Sequence, residues 1–224
     1  MSQALCIKTE SLFGDHIPED NVQITFKDPS KLFQKETFLI DREICEKDQS
    51  YLQVIPYITL YDPSICSFFI YQRGSSGGEN RLHGRCSIGL GGHVEAIPEK
   101  DNVDSFIDVL ANEASRELEE ETGLTLEDVP LDKIKRAFFE ENFGLIHCRK
   151  TDVDKVHIGL SLIFNVDYSR VTKTEENVIS KGEWLTIGEI YEKAFSNEIE
   201  LETWSKMVLH AVNLRDNLNF PSLL

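Results

Sequence analysis

The clearest periodicity in the chain lies between Ser105 and Thr122. On a wheel of about 100° per residue, Ile107, Leu110, Ala111, Ala114 and Leu118 share one face. That stripe predicts a helix laid against a core. Gly123 follows it, a residue suited to the left-handed conformation that closes many helices. Strand patterns stand on either side. The runs 52–60 and 65–71 are rich in β-branched and aromatic residues and are separated by Asp62-Pro63-Ser64, which predicts a hairpin. Pro56 inside the first run predicts an edge position or a bulge. The stretch 156–166 is long, apolar and β-branched, so it reads as a strand closed by Asp167-Tyr168-Ser169. Residues 134–139 fit a helix or a strand equally well. Nearer the start, 22–26 alternates like a short strand, Asp28-Pro29-Ser30 suits a turn or a helix start, and 38–42 suits another strand.

Towards the end, Thr186 is placed to cap a short helix running to Ala194. Leu201, Trp204, Val208, Ala211 and Val212 have helical spacing, which predicts an amphipathic helix packed on the core or on a second subunit. Trp184 reads as a core residue rather than a platform for a base. Strands, a glycine-rich turn, a helix, more strands and terminal helices make an α/β (α+β) chain with a mixed sheet. Residues 1–49 read as an N-terminal extension, part of the core or packed on it, and 50–224 as the main domain.

Composition narrows the classes. The 224 residues are 41% hydrophobic and 28% charged, as in soluble globular proteins. No apolar run approaches the 18 or more residues that a membrane helix needs, and the first residues lack a signal pattern. No membrane partner is expected, and the cytoplasm is the expected location. The five cysteines are scattered without metal-type spacing, which suits thiols in a reducing compartment. A net charge of −16 argues against a nucleic-acid polymer as partner. A small phosphorylated substrate remains compatible, because bound cations reverse the local field.

The acidity has one pointed feature. Glu117, Glu120 and Glu121 fall close together beside the apolar stripe, while Glu119 points away. Like charges at that spacing repel, and a hard divalent cation removes the conflict. Mg²⁺ suits such oxygen ligands and commonly adds substrate phosphates to its shell. Arg116 stands four residues before Glu120 and can brace it. Upstream, Gly91 and Gly92 allow close approach of backbone to a ligand, or positive φ.

These residues resemble the Nudix box, in which a glycine and a glutamate precede an R-E-U-x-E-E-x-G-U segment, U being apolar. Arg116 to Leu124 matches the second half throughout. The first half departs: Asp108 stands where the family has a glutamate, and about ten extra residues around 97–102 separate it from Gly92. Loop insertions cost little. The segment 88–93, Ile-Gly-Leu-Gly-Gly-His, resembles a less common branch in which an aliphatic residue, here Leu90, replaces the usual proline.

The resemblance implies an α/β/α sandwich and a Mg²⁺-dependent hydrolase, with Mn²⁺ as the other cation, acting on a nucleoside-diphosphate-linked or related pyrophosphate. Glu117, Glu120, Glu121 and the Gly91 carbonyl would hold the metal, and Arg116 would orient the glutamates. A further glutamate often sits in a later loop, for which Glu176 is the candidate, with Glu175 close behind. Arg73, Arg81 and Arg85 flank the loop 74–80, and with Gly92 they are candidates for substrate binding, since guanidinium groups fork phosphate well. His93 could serve as a base, although its offset also matches a non-catalytic family position. A homodimer is the assembly that relatives suggest.

Two rivals share the fold. A non-catalytic sensor of nucleotide or ADP-ribose would show loss of box glutamates, which are all present. An isopentenyl-diphosphate-type isomerase would need an early cysteine and histidine metal set, which His16 and Cys66 do not supply.

Overall fold

The computed structural model describes residues 2–14, 30–74, 82–139, 144–172 and 179–224. The fold is mixed α+β, a large mixed sheet with helices, as the sequence pattern predicts. The chain divides into two compact units that interleave along the sequence: Met1–Tyr57 with Gly91–Ser115 and Leu131–Leu162, and Ile58–Leu90 with Arg116–Pro130 and Ile163–Leu224.

In the first unit, strand β1 (Gln3–Lys8) lies between β2 (Thr37–Asp41) and the start of β3 (Tyr51–Asp62). Both pairings are antiparallel, with Leu5 opposite Leu39 and Ile7 opposite Leu52. Ala4 to Ile7 are buried on both faces of the strand. A strand buried on both sides shows no polar alternation, and the sequence pattern gave no sign of it. β2 coincides with the predicted run 38–42, whereas the predicted strand 22–26 lies outside the described residues. Among the described residues, three short helices lie between these strands: α1 (Thr9–Phe13), α2 (Ser30–Phe33) and α3 (Arg42–Cys45). Asp41 caps α3 by accepting the Glu43 N–H at 3.1 Å.

The long helix α4 (Val103–Thr122) begins two residues before the predicted start. Asn102 explains the boundary. Its side chain accepts the Ser105 N–H at 3.0 Å, and the Ser105 hydroxyl accepts the Glu99 N–H at 2.8 Å. The segment that exceeds the family spacing thus ends in a helix cap. α5 (Leu131–Ala137) resolves the ambiguous run near Ile134 as helix, because Ile134 and Ala137, three apart, are the buried positions. The Phe33 ring packs against Phe106 and Phe138 at centroid distances of 5.4 and 6.0 Å. β7 (Gly144–Ile146) pairs antiparallel with the start of β8 (His157–Asn165), Leu145 opposite Leu160.

His147, just past β7, is buried at 4% exposure and packs on the Phe13 ring at 4.5 Å. Burial, with Arg149 adding and Asp154 opposing, pushes its pKa down to about 4. The unfolded ring takes its proton near pH 6.5, so the unfolded state binds more protons over the interval down to about pH 4. The stability tied to neutral His147 is therefore complete above pH 7 and lost as pH falls through that window, on the order of 3 kcal/mol in all. His147→Phe keeps a packed ring without the titration. The difference between its urea-unfolding free energy and that of the wild type should shift in favour of the variant from pH 7 to pH 4.5. A difference that stays constant with pH would refute this.

In the second unit, β4 (Ser67–Arg73) forms the predicted hairpin with the end of β3, Tyr61 opposite Phe68. β4 also pairs antiparallel with β5 (Cys86–Ser87) and along its length with β9 (Ile179–Thr186). β6 (Gly89–Leu90) adds to β3 opposite Ile58 and Thr59. Pro56, which cannot donate to a ladder, falls between the β3 residues paired with β1 and those paired with β6. Trp184 packs on Phe69 at 5.6 Å, half-buried. Thr186 and Glu189 form a reciprocal capping box at the start of α6 (Ile187–Phe195). The final helix, α7 (Thr203–Arg215), buries Val208 and Val212 of the predicted stripe together with Met207 and Leu209, while Trp204 and Ala211 are half-buried and Leu201 precedes the helix. α4 ends at Gly123, whose φ of 75° is left-handed and whose N–H donates to the Glu119 carbonyl at 3.1 Å.

Candidate active site

The last turns of α4 carry the acidic group. Ile107, Leu110, Ala111, Ala114 and Leu118 are all buried, so the predicted stripe is the buried one. Register then fixes the glutamates. Glu117 and Glu121, four apart, are each 7% exposed, whereas the Glu120 side chain is 52% exposed. Glu119 is exposed on the far side. Arg116 donates to both Glu117 and Glu120, which is the bracing its spacing predicts. Thr122 closes the turn, donating to the Leu118 carbonyl at 2.6 Å and accepting from the Leu124 N–H.

Two carboxylates one turn apart and largely withdrawn from water repel each other more strongly than exposed ones. Nearby, the Tyr71 hydroxyl is pushed well above its ordinary pKa, chiefly by burial, with Arg73 opposing and the charges of Glu121 and Glu202 adding. This oxygen-only donor set, in a field already negative, fits a hard divalent cation.

The other predicted positions are more varied. Neither Gly91 nor Gly92 is among the glycines with positive φ, so of the two freedoms the pair offers, the left-handed one is not used. Gly91 is required for a different reason: a Cβ there would lie 2.2 Å from the Pro56 carbonyl oxygen. Arg73 forms an ion pair with Glu202 at 2.8 Å, and Glu202 also accepts from the Ser87 hydroxyl at 2.5 Å. Arg85 pairs with Glu200 at 3.1 Å. Asp108 is exposed and pairs with Lys135 at 2.8 Å. Arg81, Glu175 and Glu176 lie outside the described residues.

The sequence also left a second group undetected. Glu46, just past α3, His93 after the glycine pair, and His157 at the start of β8 each offer one ligand atom, all within 4.8 Å of one another. The two Nε2 atoms stand 3.2 Å apart. Burial pushes His93 down to about pH 3, with the Arg42 guanidinium and the His157 ring adding. No spacing rule links three residues so far apart along the chain. The one available signal was the histidine beside the glycine pair.

No family model matches the chain. It is 34% identical over 164 residues to Protein YmaB of Bacillus subtilis (strain 168), covering 73% of this chain and 72% of that one. Among solved structures it is similar to Tm1382, which carries a provisional Nudix-hydrolase assignment. The TM-score is 0.65 at 27% identity, over 95% of this chain and 99% of that chain. The chain belongs to the Nudix family. It is a Nudix-type hydrolase, and the segment Arg116–Leu124 that resembles the Nudix box covers the last turns of α4 and the two residues after it. Among the described residues of this Nudix protein, no helix is long and apolar enough to cross a membrane.

Proposed function

We propose that the protein is a Mg²⁺-dependent hydrolase of a nucleoside-diphosphate-linked or related pyrophosphate. The observation that carries this reading is the pair of buried carboxylates, Glu117 and Glu121, on one turn of the box helix, with Arg116 tying Glu117 to the half-exposed Glu120. Glu117, Glu120 and Glu121 would hold the metal, with Mn²⁺ as its substitute. The bound cation supplies charge for the diphosphate oxygens and a lowered pKa for water. The protein's own residues do the rest. Arg116 holds two of the glutamates in register. A carboxylate, from the helix or from Glu176, accepts the water's proton. Arg81 and Gly92 contribute to substrate binding. Arg73 and Arg85 do so from within their pairs with Glu202 and Glu200. The cytoplasm remains the location we assign; the oligomeric state stays open, with a homodimer as the candidate that relatives suggest.

The test is a hydrolysis screen with and without Mg²⁺ over nucleoside triphosphates, nucleotide sugars, ADP-ribose, dinucleoside polyphosphates, NAD(H) and isoprenyl diphosphates, products resolved by mass. One class should be cleaved by the wild type and not by Glu120→Gln. A nucleotide that raises the melting temperature without turnover would favour a sensor. Isomerised diphosphate without phosphate or nucleotide release would favour an isomerase.

A further inference from the structure

The Glu46, His93 and His157 group shares no residue with the Nudix box, and its donors are chemically different. We propose that these three side chains form a second metal site, for a nitrogen-preferring divalent cation of the zinc class, with one coordination position left for water or a substrate oxygen.

Three observations support it. First, the tautomer of His157 is set by the backbone. Its Nδ1 lies 2.8 Å from the Val153 carbonyl, which can only accept, so Nδ1 carries the proton and Nε2 presents its lone pair. A ligand histidine donating its other N–H to a carbonyl is the usual arrangement around a metal. Second, the distances suit a small cation. Zinc–nitrogen bonds of about 2.0–2.1 Å at tetrahedral angles place two ligand nitrogens about 3.3 Å apart. Here the two Nε2 atoms are 3.2 Å apart. The Glu46 Oε1 lies 3.9 Å from His93 Nε2 and 3.8 Å from His157 Nε2, so the carboxylate has to close by only about half an ångström to complete the set. Third, the set is exclusive. His157 is buried, and His93 and Glu46 are half-buried, so the donors are sheltered from bulk water. Two imidazoles and one carboxylate match a zinc site with an open fourth place, whereas Mg²⁺ prefers oxygen alone.

One group opposes the cation. Arg42 lies 3.9 Å from the same Glu46 oxygen, one turn earlier. A bound cation has to share that carboxylate with the guanidinium, so Arg42→Gln should tighten binding several-fold.

The experiment is calorimetric titration of Zn²⁺ into the metal-stripped full chain, with excess Mg²⁺ present to occupy the box. One Zn²⁺ per chain should bind. His93→Gln and His157→Gln should each weaken it at least about 100-fold, while Glu120→Gln leaves it intact. Co²⁺ should give the intense visible bands of a low-coordinate nitrogen site in the wild type and lose them in both histidine variants. X-ray absorption of the zinc-loaded wild type covers the case in which a histidine variant does not fold: two imidazoles in the shell support the site, and an all-oxygen shell overturns it. The proposal also fails if no Zn²⁺ binds, or if Glu120→Gln removes binding while the histidine variants retain it. Because Glu120→Gln reports on the box and the histidine variants on this site, failure of one reading is distinguishable from failure of the other.

Discussion

Gly91→Ala is expected to destabilise the protein by about 3–5 kcal/mol, in the range of severe backbone and packing conflicts. The added Cβ would sit 2.2 Å from the Pro56 carbonyl oxygen, 3.2 Å from Ile55 Cγ2 and 3.3 Å from the Pro56 carbonyl carbon. The nearest atom is backbone, so no rotamer change relieves the contact. Neither backbone can yield easily. β3 is fixed by its ladder to β1, and the segment after Gly91 is tethered where the Leu5 N–H donates to the Val94 carbonyl at 2.7 Å. A shift of about 1 Å has to be absorbed by one of them, which close-packed interiors resist. Gly188→Ala is the control. Its Cβ would meet only the end of the Phe220 ring, at 3.7 Å, and it lies in the first turn of α6. That change should be neutral or stabilising by up to about 1 kcal/mol. Urea unfolding of both variants measures the contrast. A Gly91→Ala midpoint equal to that of the wild type would show that the two backbones are not in contact.

The same glycine shows how far the sequence was legible. The pair Gly91-Gly92 stood out as something that needed a reason, but close approach to a ligand and a left-handed turn were the reasons the pattern suggested. The packing against Pro56 comes from a residue distant in the chain, and no local pattern reports it. The box helix was readable because its burial is one-sided: the stripe from Ile107 to Leu118 fixes which glutamates are withdrawn and which is exposed. β1 was not readable for the opposite reason, since Ala4, Leu5, Cys6 and Ile7 are buried whichever way they face. Residues 134–139 were ambiguous until packing selected Ile134 and Ala137 as the inner positions. Glu46, His93 and His157 come together by tertiary folding alone. His93 drew attention from its neighbours, but its two partners had no marker in the sequence.

Glu120→Gln is expected to lower kcat by at least about 100-fold while changing stability by no more than about 0.5 kcal/mol. The two halves follow from one observation. The Glu120 carboxylate is 52% exposed, and its contact with Arg116 is a helix-surface ion pair, so little folding energy depends on it. Its proposed work lies in the cation shell, where the loss of one negative oxygen removes charge that the developing transition state requires. Glu117→Gln should be equally damaging to turnover with a different stability signature. Glu117 is 9% exposed in its side chain and opposes the like charge of Glu121 one turn away. Removing its charge breaks the pair with Arg116 but relieves that repulsion, so the metal-free variant should lose little stability. What it loses is the gain from Mg²⁺. A ligand that binds only the folded state stabilises it by about 2.7 kcal/mol at 100 times its Kd, and both variants should show a much smaller rise in Tm on adding Mg²⁺ than the wild type. Turnover and thermal melts with and without Mg²⁺ decide the matter together. If Glu120→Gln retains wild-type kcat and the wild-type Mg²⁺ shift, the box glutamates do not form the working metal site, whatever the resemblance implies.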